Sequence, residues 1–365
     1  MSRKLHDFWQ RISDGIAIQD LWAQFRADAR AGYQFYSKDV DTAPREGESR
    51  LRRLFRILRG YFWAMAMKLS PGRRILLFVA LILLIFPGVH FDIHGNEVDT
   101  TDSQFFSSVL LLLLLALELS DRIVMKRDLE IAREIQSWLM PTRPPEVPGA
   151  DIAFATRPAN TVAGDYYDAF FRPNHRLLIV VADVAGKSIP AALLTATLQA
   201  SLRTLADLPG SLVELAARVN HYACEQSNQG RRFTTAFLAE LDPATGALEY
   251  VNAGHNWPVL RRGSGAVERF EAGGLPLGIS STLPYQSGAT HLAPGDLLLI
   301  FTDGLVEAED DREQEYGEQR MLAVVTSLSG ATANEALKRL MSSVDVFVGA
   351  TRQHDDITCL LLRMT

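Results

Sequence analysis

The distribution of apolar positions separates a polar beginning of the chain from two strongly apolar runs and a longer region of short strands. Residues 1–60 form a predicted cytosolic N-terminal segment, in which no apolar core follows the first basic residues as it would in a signal peptide. From about 50 to 62, leucines and phenylalanines recur at helical spacing opposite a row of arginines, which predicts a basic amphipathic helix. Such a helix suits a membrane surface of anionic lipid, and packing on a protein partner is the alternative.

Two almost purely apolar runs come next. Each is a little short of the roughly 20 residues that span a bilayer, but tolerable neighbours extend them to predicted helices at 70–90 and 103–120. The loop between them, 91–102, is acidic, and basic residues flank the outer ends. This asymmetry predicts a transmembrane hairpin over 70–120 in a bacterial inner membrane, with lipid as a partner and both termini cytoplasmic. Two buried helices of a soluble domain are the alternative.

Residues 121–149 are predicted to link the hairpin to a separate domain. Apolar residues from Val124 to Trp138 share one stripe of a charged helix, and closely spaced prolines after Met140 end it. A narrow apolar stripe is typical of a coiled coil, so this helix predicts a homodimer. The alternative is that the stripe packs on the following domain of the same chain.

From residue 150 to 365 the pattern changes to short strands separated by turn signals. The predicted strands are 151–157, 176–184, 233–241, 248–252, 259–262, 267–270, 290–292, 297–302 and 357–363, and the predicted helices are 190–206, 211–228, 318–328 and 333–348. Many short strands with few helices between them predict an α+β fold with a central antiparallel β-sandwich flanked by helices.

Composition excludes several classes of function. With 22% charged residues and a net charge of -6, the chain is typical of a folded protein and unlike a general nucleic-acid binder. Its two cysteines, Cys224 and Cys359, lie far apart in the sequence, which argues against a zinc site or a disulfide framework.

Acidic residues recur in one context, beside a glycine or at the end of a predicted strand. They are Asp165, Asp183, Asp303 and the adjacent pair Asp355 and Asp356. Each alone is compatible with a solvated turn, whereas several that converge would form a site. A cluster of oxygen ligands suits Mg²⁺ or Mn²⁺ better than zinc. Two such ions can lower the pKa of a shared water and orient a phosphoryl group.

A series of short motifs runs through this part of the chain. They are AREIQ at 132–136 with LMP at 139–141, GDYYD at 164–168, DVAGK at 183–187, NAGHN at 252–256, PLG at 276–278, TDG at 302–304 and DDIT at 355–358. Together and in this order, they make residues 129–365 resemble the SpoIIE/RsbU branch of the metal-dependent serine/threonine phosphatases, the protein phosphatase 2C-like (PPM) superfamily. The resemblance does not extend to residues 1–120.

The resemblance implies a phosphatase of the PPM fold with two Mn²⁺ or Mg²⁺ ions. The implied ligands are Asp165, Asp183, the backbone carbonyl of Val184, Asp303 and Asp355, with Asp356 as the rival of Asp355. Among these, Asp183 would bridge the two ions. The helices after Ser188 would resemble the family's switch element, and the helix at 121–140 its transmitting and dimerising linker.

Further motif residues are candidates for the switch or for a loop beside the site. They are Gly186, Lys187, Ser188, Gly304 and His255. His255 is as open to a structural role as to a functional one, because no metal partner with histidine spacing lies near it. Ser188 stands where the family usually has a second glycine, and serine is a poor substitute if the backbone there has a positive φ.

The resemblance implies hydrolysis of phosphoserine or phosphothreonine in a cytosolic regulatory protein. In this branch the usual substrate is a STAS-type anti-anti-sigma factor within a partner-switching circuit. A catalytically silent binding domain and a phosphohydrolase for a small metabolite are the alternatives. Because a continuous path leads from the predicted hairpin to the phosphatase domain, the hairpin and linker are predicted to regulate activity.

Overall fold

The computed structural model describes residues 40, 49–86, 92–93, 96–97, 100–186, 189–227 and 232–365. Contacts within the chain divide it into two compact units, Met1–Val124 and Met125–Thr365. The elements of the first unit are α1 (Arg50–Lys68), α2 (Pro71–Ile85), the short strands β1 (Asp92–Ile93) and β2 (Asn96–Glu97), and the beginning of α3 (Thr100–Leu139).

Helix α1 confirms the predicted amphipathic helix and extends it to Lys68. Ser49 caps its start, because the Ser49 hydroxyl accepts a hydrogen bond from the Arg52 N–H. The apolar side stays exposed, with Leu51 and Phe55 at 79% and 70% of full exposure. Whether lipid or a protein covers this side stays a prediction.

In the part of the chain that the structure describes, no helix is long and apolar enough to cross a membrane. The predicted transmembrane hairpin over 70–120 is therefore not found. Helix α2 has only 15 residues, which is about 22 Å against a hydrocarbon core of about 30 Å. The second apolar run is no separate element, since it belongs to α3, a 40-residue helix that continues into the linker. Five residues of the loop 91–102, namely 91, 94–95 and 98–99, lie outside the described residues. The inner-membrane location stays a prediction.

The second unit is built on two β-sheets. One has the strand order β10-β7-β6-β5-β4 with β11 also paired to β7, and the other has the order β3-β13-β12-β8-β9. Their bounds are β3 (Ala150–Arg157), β4 (Asp165–Phe171), β5 (Leu177–Val184), β6 (Thr234–Leu241), β7 (Ala247–Ala253), β8 (Val259–Arg261), β9 (Val267–Arg269), β10 (Gly273–Gly274), β11 (Gly288–His291), β12 (Leu297–Phe301) and β13 (Ile357–Met364). Among these pairs only β10 and β7 are parallel.

Alternation along the strands builds a four-layer domain. In β5, Ile179 and Val181 pack between the two sheets, whereas Leu178 and Val180 face helices on the outside. Those helices are α4 (Ile189–Ala206) and α5 (Leu212–Gln226), while α6 (Gly317–Ser327) and α7 (Ala333–Val348) cover the other sheet. This confirms the predicted α+β fold, a central antiparallel β-sandwich flanked by helices.

The predicted strands and helices of this domain are present with ends shifted by a few residues, and one functionally important strand was missed. Strand β4 lies within Asp165–Phe171, which contains two acids and was interpreted only as a motif. Tertiary pairing with β5 overrides the weak strand propensity of those acids. The predicted helix over 121–140 is present as the second half of α3, which continues from the second apolar run.

Candidate active site

Strand pairing brings the first two acids together. Asp165 begins β4, Asp183 lies one residue before the end of β5, and the antiparallel register places them directly opposite each other. Residues in such a pair have their side chains on the same face of the sheet. That face is the one turned toward the second sheet, because Tyr167 and Val181, two positions further along, lie in the core between the sheets.

The second sheet contributes the remaining acids. Asp303 begins a short 3₁₀ turn two residues after β12, and Asp355 and Asp356 directly precede β13. Because β12 and β13 pair antiparallel, the end of one lies beside the start of the other. Packing of the two sheets then brings these acids close enough to Asp183 for their charges to act on it. The structure therefore gathers all the predicted acids at one place.

Burial and repulsion both act on these carboxyl groups. Burial, followed by the charges of Asp303 and Asp355, raises the pKa of Asp183 to about 7. Burial, followed by the charge of Asp183, holds the pKa of Asp165 well above its usual range. Carboxylates gathered in a buried place repel one another when they ionise, so a cation between them would be strongly stabilised.

The donor set tells which cation would fit. Its side chains offer only oxygen, which suits Mg²⁺ or Mn²⁺. The backbone carbonyl of Val184 lies beside this set, since a Cβ built on Gly164 would be 3.4 Å from its oxygen. Within the described residues, no three side chains of histidine, cysteine, aspartate or glutamate are yet arranged to hold one ion. The oxygen donors thus suit a hard cation, although among the described residues no three of these side chains converge on one point.

The adjacent acids Asp355 and Asp356 have different surroundings. Both Asp356 oxygens accept backbone hydrogen bonds, from the N–H groups of Ala159 at 2.7 Å and Gly164 at 2.6 Å. One oxygen of Asp355 accepts the N–H of Asp356 at 2.9 Å. Asp356 therefore anchors the loop before β4, which favours Asp355 over Asp356 as a ligand.

The two residues before Asp165 are held by three separate elements. The Gln136 amide of α3 makes two hydrogen bonds with the backbone of Ala163, at 2.7 and 2.9 Å. The Thr195 hydroxyl of α4 donates to the Gly164 carbonyl at 2.6 Å, and Asp356 accepts the Gly164 N–H. The position of Asp165 is thus linked to the linker helix, to α4 and to the start of β13.

Two predicted site glycines are required by the backbone. Gly186 has a φ of 118°, a conformation that side chains disfavour. At Gly304, a Cβ would collide with the carbonyl oxygen of Asp356, so this close approach needs glycine. Lys187 and Ser188 lie outside the described residues.

His255 is a buried neutral base next to the acids. Its Nδ1 lies 3.0 Å from the hydroxyl of Thr235, and Thr235 is directly opposite Asp183 in the β5–β6 pair. Burial lowers the pKa of His255 to about 4, so the ring is uncharged near neutrality. Within the described structure its Nε2 is buried without a hydrogen-bond partner. The open choice between a structural and a functional role for His255 stays open.

Asp168, the second acid of the GDYYD motif, does not join the other acids. Both of its oxygens are 2.7 Å from the guanidinium of Arg203 on α4, and the Tyr166 hydroxyl donates to it at 2.8 Å. Sequence reasoning missed Arg203, which no motif contains. Gln136, Thr302 and Thr358 lie within the motifs, but nothing in the sequence indicates a role for them, although Thr302 directly precedes Asp303 and Thr358 is two residues after Asp356.

Comparison with known proteins identifies the family. The family profile of stage II sporulation protein E (SpoIIE) matches residues 173–365. Protein IcfG of Synechocystis is 26% identical over 273 residues, covering 68% of this chain and 43% of IcfG. The phosphoserine phosphatase RsbU of Bacillus subtilis is 29% identical over 240 residues, covering 65% of this chain and 70% of RsbU. The chain thus spans less than half the length of IcfG.

Solved structures share the fold. The RsbU and RsbW domains of a Mycobacterium tuberculosis protein align with a TM-score of 0.53 at 27% identity, covering 62% of this chain and 63% of that one. The SiaA-PP2C domain of Pseudomonas aeruginosa aligns with a TM-score of 0.58 at 20% identity, covering 67% of this chain and 99% of that domain. With the profile match over more than half of its length, the chain belongs to the SpoIIE family.

Proposed function

We propose that this chain is a metal-dependent protein serine/threonine phosphatase. The observation that carries the proposal is the convergence of Asp165 and Asp183 from one sheet with Asp303 and Asp355 from the other. These carboxylates and the Val184 carbonyl would hold two Mn²⁺ or Mg²⁺ ions. When bound, such ions supply a water of lowered pKa and neutralise charge on a phosphoryl group.

The chain's own residues orient the carboxylates and hold them away from bulk water. The side chain of Asp165 is buried against the second sheet, and Asp356 fixes the loop that leads into it. A covalent route through cysteine is disfavoured, because Cys359 is fully buried and burial raises its pKa.

The substrate we propose is a cytosolic regulatory phosphoprotein, with a phosphorylated STAS-type anti-anti-sigma factor as the first choice. RsbU and RsbP of Bacillus subtilis are named phosphoserine phosphatases, and the related mycobacterial structure contains an RsbU domain together with an RsbW domain. These relatives favour a partner-switching protein over a small metabolite.

Phosphate release by the purified full chain tests this function. With Mn²⁺ and a phosphoserine-containing STAS protein, we expect hydrolysis that chelation abolishes. Asp183→Ala should lower kcat/KM by more than the roughly 10–100-fold that loss of an outer metal partner costs. Equal release by wild type and variant would contradict a metal phosphatase and favour a silent binding domain. Release from p-nitrophenyl phosphate or metabolites but not from phosphoprotein would favour the small-molecule alternative.

We also propose that α3 transmits regulation to this site and pairs with a second copy. Its Ile131, Ile135 and Trp138 are 46%, 47% and 72% exposed, which supports pairing between chains over packing within one chain. Sedimentation should then show a dimer that Ile135→Glu converts to a monomer. An unchanged sedimentation coefficient would contradict pairing through this stripe.

The coupling itself depends on Gln136, whose two hydrogen bonds to Ala163 connect α3 to Asp165. Gln136→Leu removes both bonds, each of which is worth about 1 kcal/mol, so we expect a several-fold lower kcat/KM. Ser137→Ala is the matched control, because the Ser137 hydroxyl bonds only within the helix, to the Glu134 carbonyl. Equal rates for wild type and Gln136→Leu would contradict coupling by this contact.

A further inference from the structure

The acids of the proposed metal site come from two different sheets, so something must fix the two sets against each other. At this boundary the Thr302 hydroxyl lies 2.9 Å from Asp165 Oδ2. Asp165 begins β4 in one sheet, whereas Thr302 follows β12 in the other. Both side chains are buried, Thr302 completely. The contact therefore crosses between the sheets where the acids are divided.

The direction of this hydrogen bond is determined by its neighbours. The backbone N–H of Thr358 donates to the Thr302 hydroxyl oxygen at 2.9 Å, so the Thr302 oxygen already acts as an acceptor. The hydroxyl itself donates to Asp165 Oδ2, the nearer of its two acceptors, since the Asp356 carbonyl oxygen is 3.4 Å away. The Thr302 N–H also donates to the Thr358 carbonyl at 3.0 Å. The two threonines thus hold each other across the ends of β12 and β13.

Thr358 is held in the same network. Its hydroxyl lies 2.9 Å from the hydroxyl of Thr156 on β3, and its backbone N–H donates to Thr302. Thr302 and Thr358 are both fully buried, and they belong to the motifs of two proposed ligands, Asp303 and Asp355. Thr302 therefore contacts Asp165 directly, while Thr358 holds Thr302 in place.

We propose that Thr302 is a positioning residue that orients the Asp165 carboxylate and sets its spacing from Asp303 and Asp355, with Thr358 holding Thr302 in place. The inference rests on the proposed function, because it concerns ligands of the proposed ions. Neither threonine touches substrate or the reacting atoms. Their role is to hold one ligand from the first sheet against two ligands from the second.

Calorimetry of Mn²⁺ binding by the full chain, without substrate, tests whether Thr302 positions Asp165. Thr302→Val keeps the shape of the side chain and removes the hydroxyl. We expect it to weaken Mn²⁺ binding by about 10–100-fold, the effect typical of losing an outer-shell partner. Thr290→Val is the matched control. The Thr290 hydroxyl, on β11, accepts a hydrogen bond from Arg262 and is not bonded to an acid. That control should bind Mn²⁺ as wild type does.

A serine variant keeps the test decisive if the valine variant unfolds. Thr302→Ser retains the donor and loses only a methyl group, so its Mn²⁺ affinity should stay within about threefold of wild type, well short of the loss of an outer metal partner. A tenfold loss in the serine variant, or wild-type affinity in the valine variant, would overturn the proposed role of Thr302 and leave the phosphatase proposal intact. Absence of Mn²⁺ binding by wild type itself would overturn both.

Discussion

Asp165 and Asp168 are three residues apart on one strand, both buried, and they have opposite surroundings. Asp168 is fully buried and receives two hydrogen bonds from Arg203, one from Tyr166 and one from the Ala169 N–H. Asp165 faces another acid, Asp183, directly across the sheet. One carboxylate is neutralised within the fold, while the other belongs to a group of like charges.

The difference teaches how to tell a structural acid from a functional one. A buried charge that meets a cation and several donors needs nothing more, so Asp168 serves to tie α4 to β4. A buried group of carboxylates without a cation raises the free energy of the metal-free protein, and binding of a metal recovers it. The GDYYD motif thus contains Asp168, whose charge the fold compensates, and Asp165, which is a proposed metal ligand.

Asp183→Asn changes the charge opposite Asp165 and should give the strongest contrast with Asp168. It removes a repelling charge, so we expect the free energy of unfolding of the metal-free protein to rise by roughly 1–2 kcal/mol. Mn²⁺ at 100 times its Kd should add about 2.7 kcal/mol to wild type and little to the variant. Urea unfolding with and without Mn²⁺ measures both. Asp168→Asn should move the opposite way, and a loss of metal-free stability in Asp183→Asn would break the comparison.

Arg203→Met tests the compensated acid. The variant keeps the aliphatic stem but leaves Asp168 buried without its cation, with Tyr166 and Ala169 as remaining donors. We expect the free energy of unfolding to fall by roughly 3 kcal/mol, near the lower end for a broken buried pair.

Arg218→Met is the control for this substitution. Arg218 pairs with Glu214 at 4.0 Å on the surface of α5, and such exposed pairs contribute at most about 1 kcal/mol. Similar losses for both arginine variants in urea unfolding would show that the Asp168–Arg203 pair is not special.

His255 extends the comparison from buried acids to a buried base that is uncharged near neutral pH. Its pKa is about 4 in the folded chain, against about 6.5 in the unfolded chain. Its contribution is therefore complete above pH 6.5 and is lost as the pH falls toward 4, because only the unfolded chain binds the proton there. Over this window wild type should lose up to about 3 kcal/mol more than His255→Asn. Parallel urea-unfolding curves of the two proteins across these pH values would contradict a buried neutral histidine.

Much of the fold and of the acid set was predictable because both depend on local sequence. The apolar run of β5 is buried on both faces and needs no partner to be identified. Strand β4 was not predictable in the same way, because its two acids hide it until β5 is beside it. The two apolar runs at 70–120 are a strong local pattern that predicted two spans, and among the described residues no helix is long and apolar enough to cross a membrane.

By itself, the sequence determined the residue types, the strand ends beside Asp183, Asp303 and Asp355, and the glycines that the turns require. Only the tertiary structure decided which acid is which. It placed Asp168 against Arg203, bonded both oxygens of Asp356 to the loop before β4, and brought Thr302 to Asp165. The physical reason is that a carboxylate's role depends on the charges and donors around it, and here those come from residues distant in sequence, across strands, helices and two sheets.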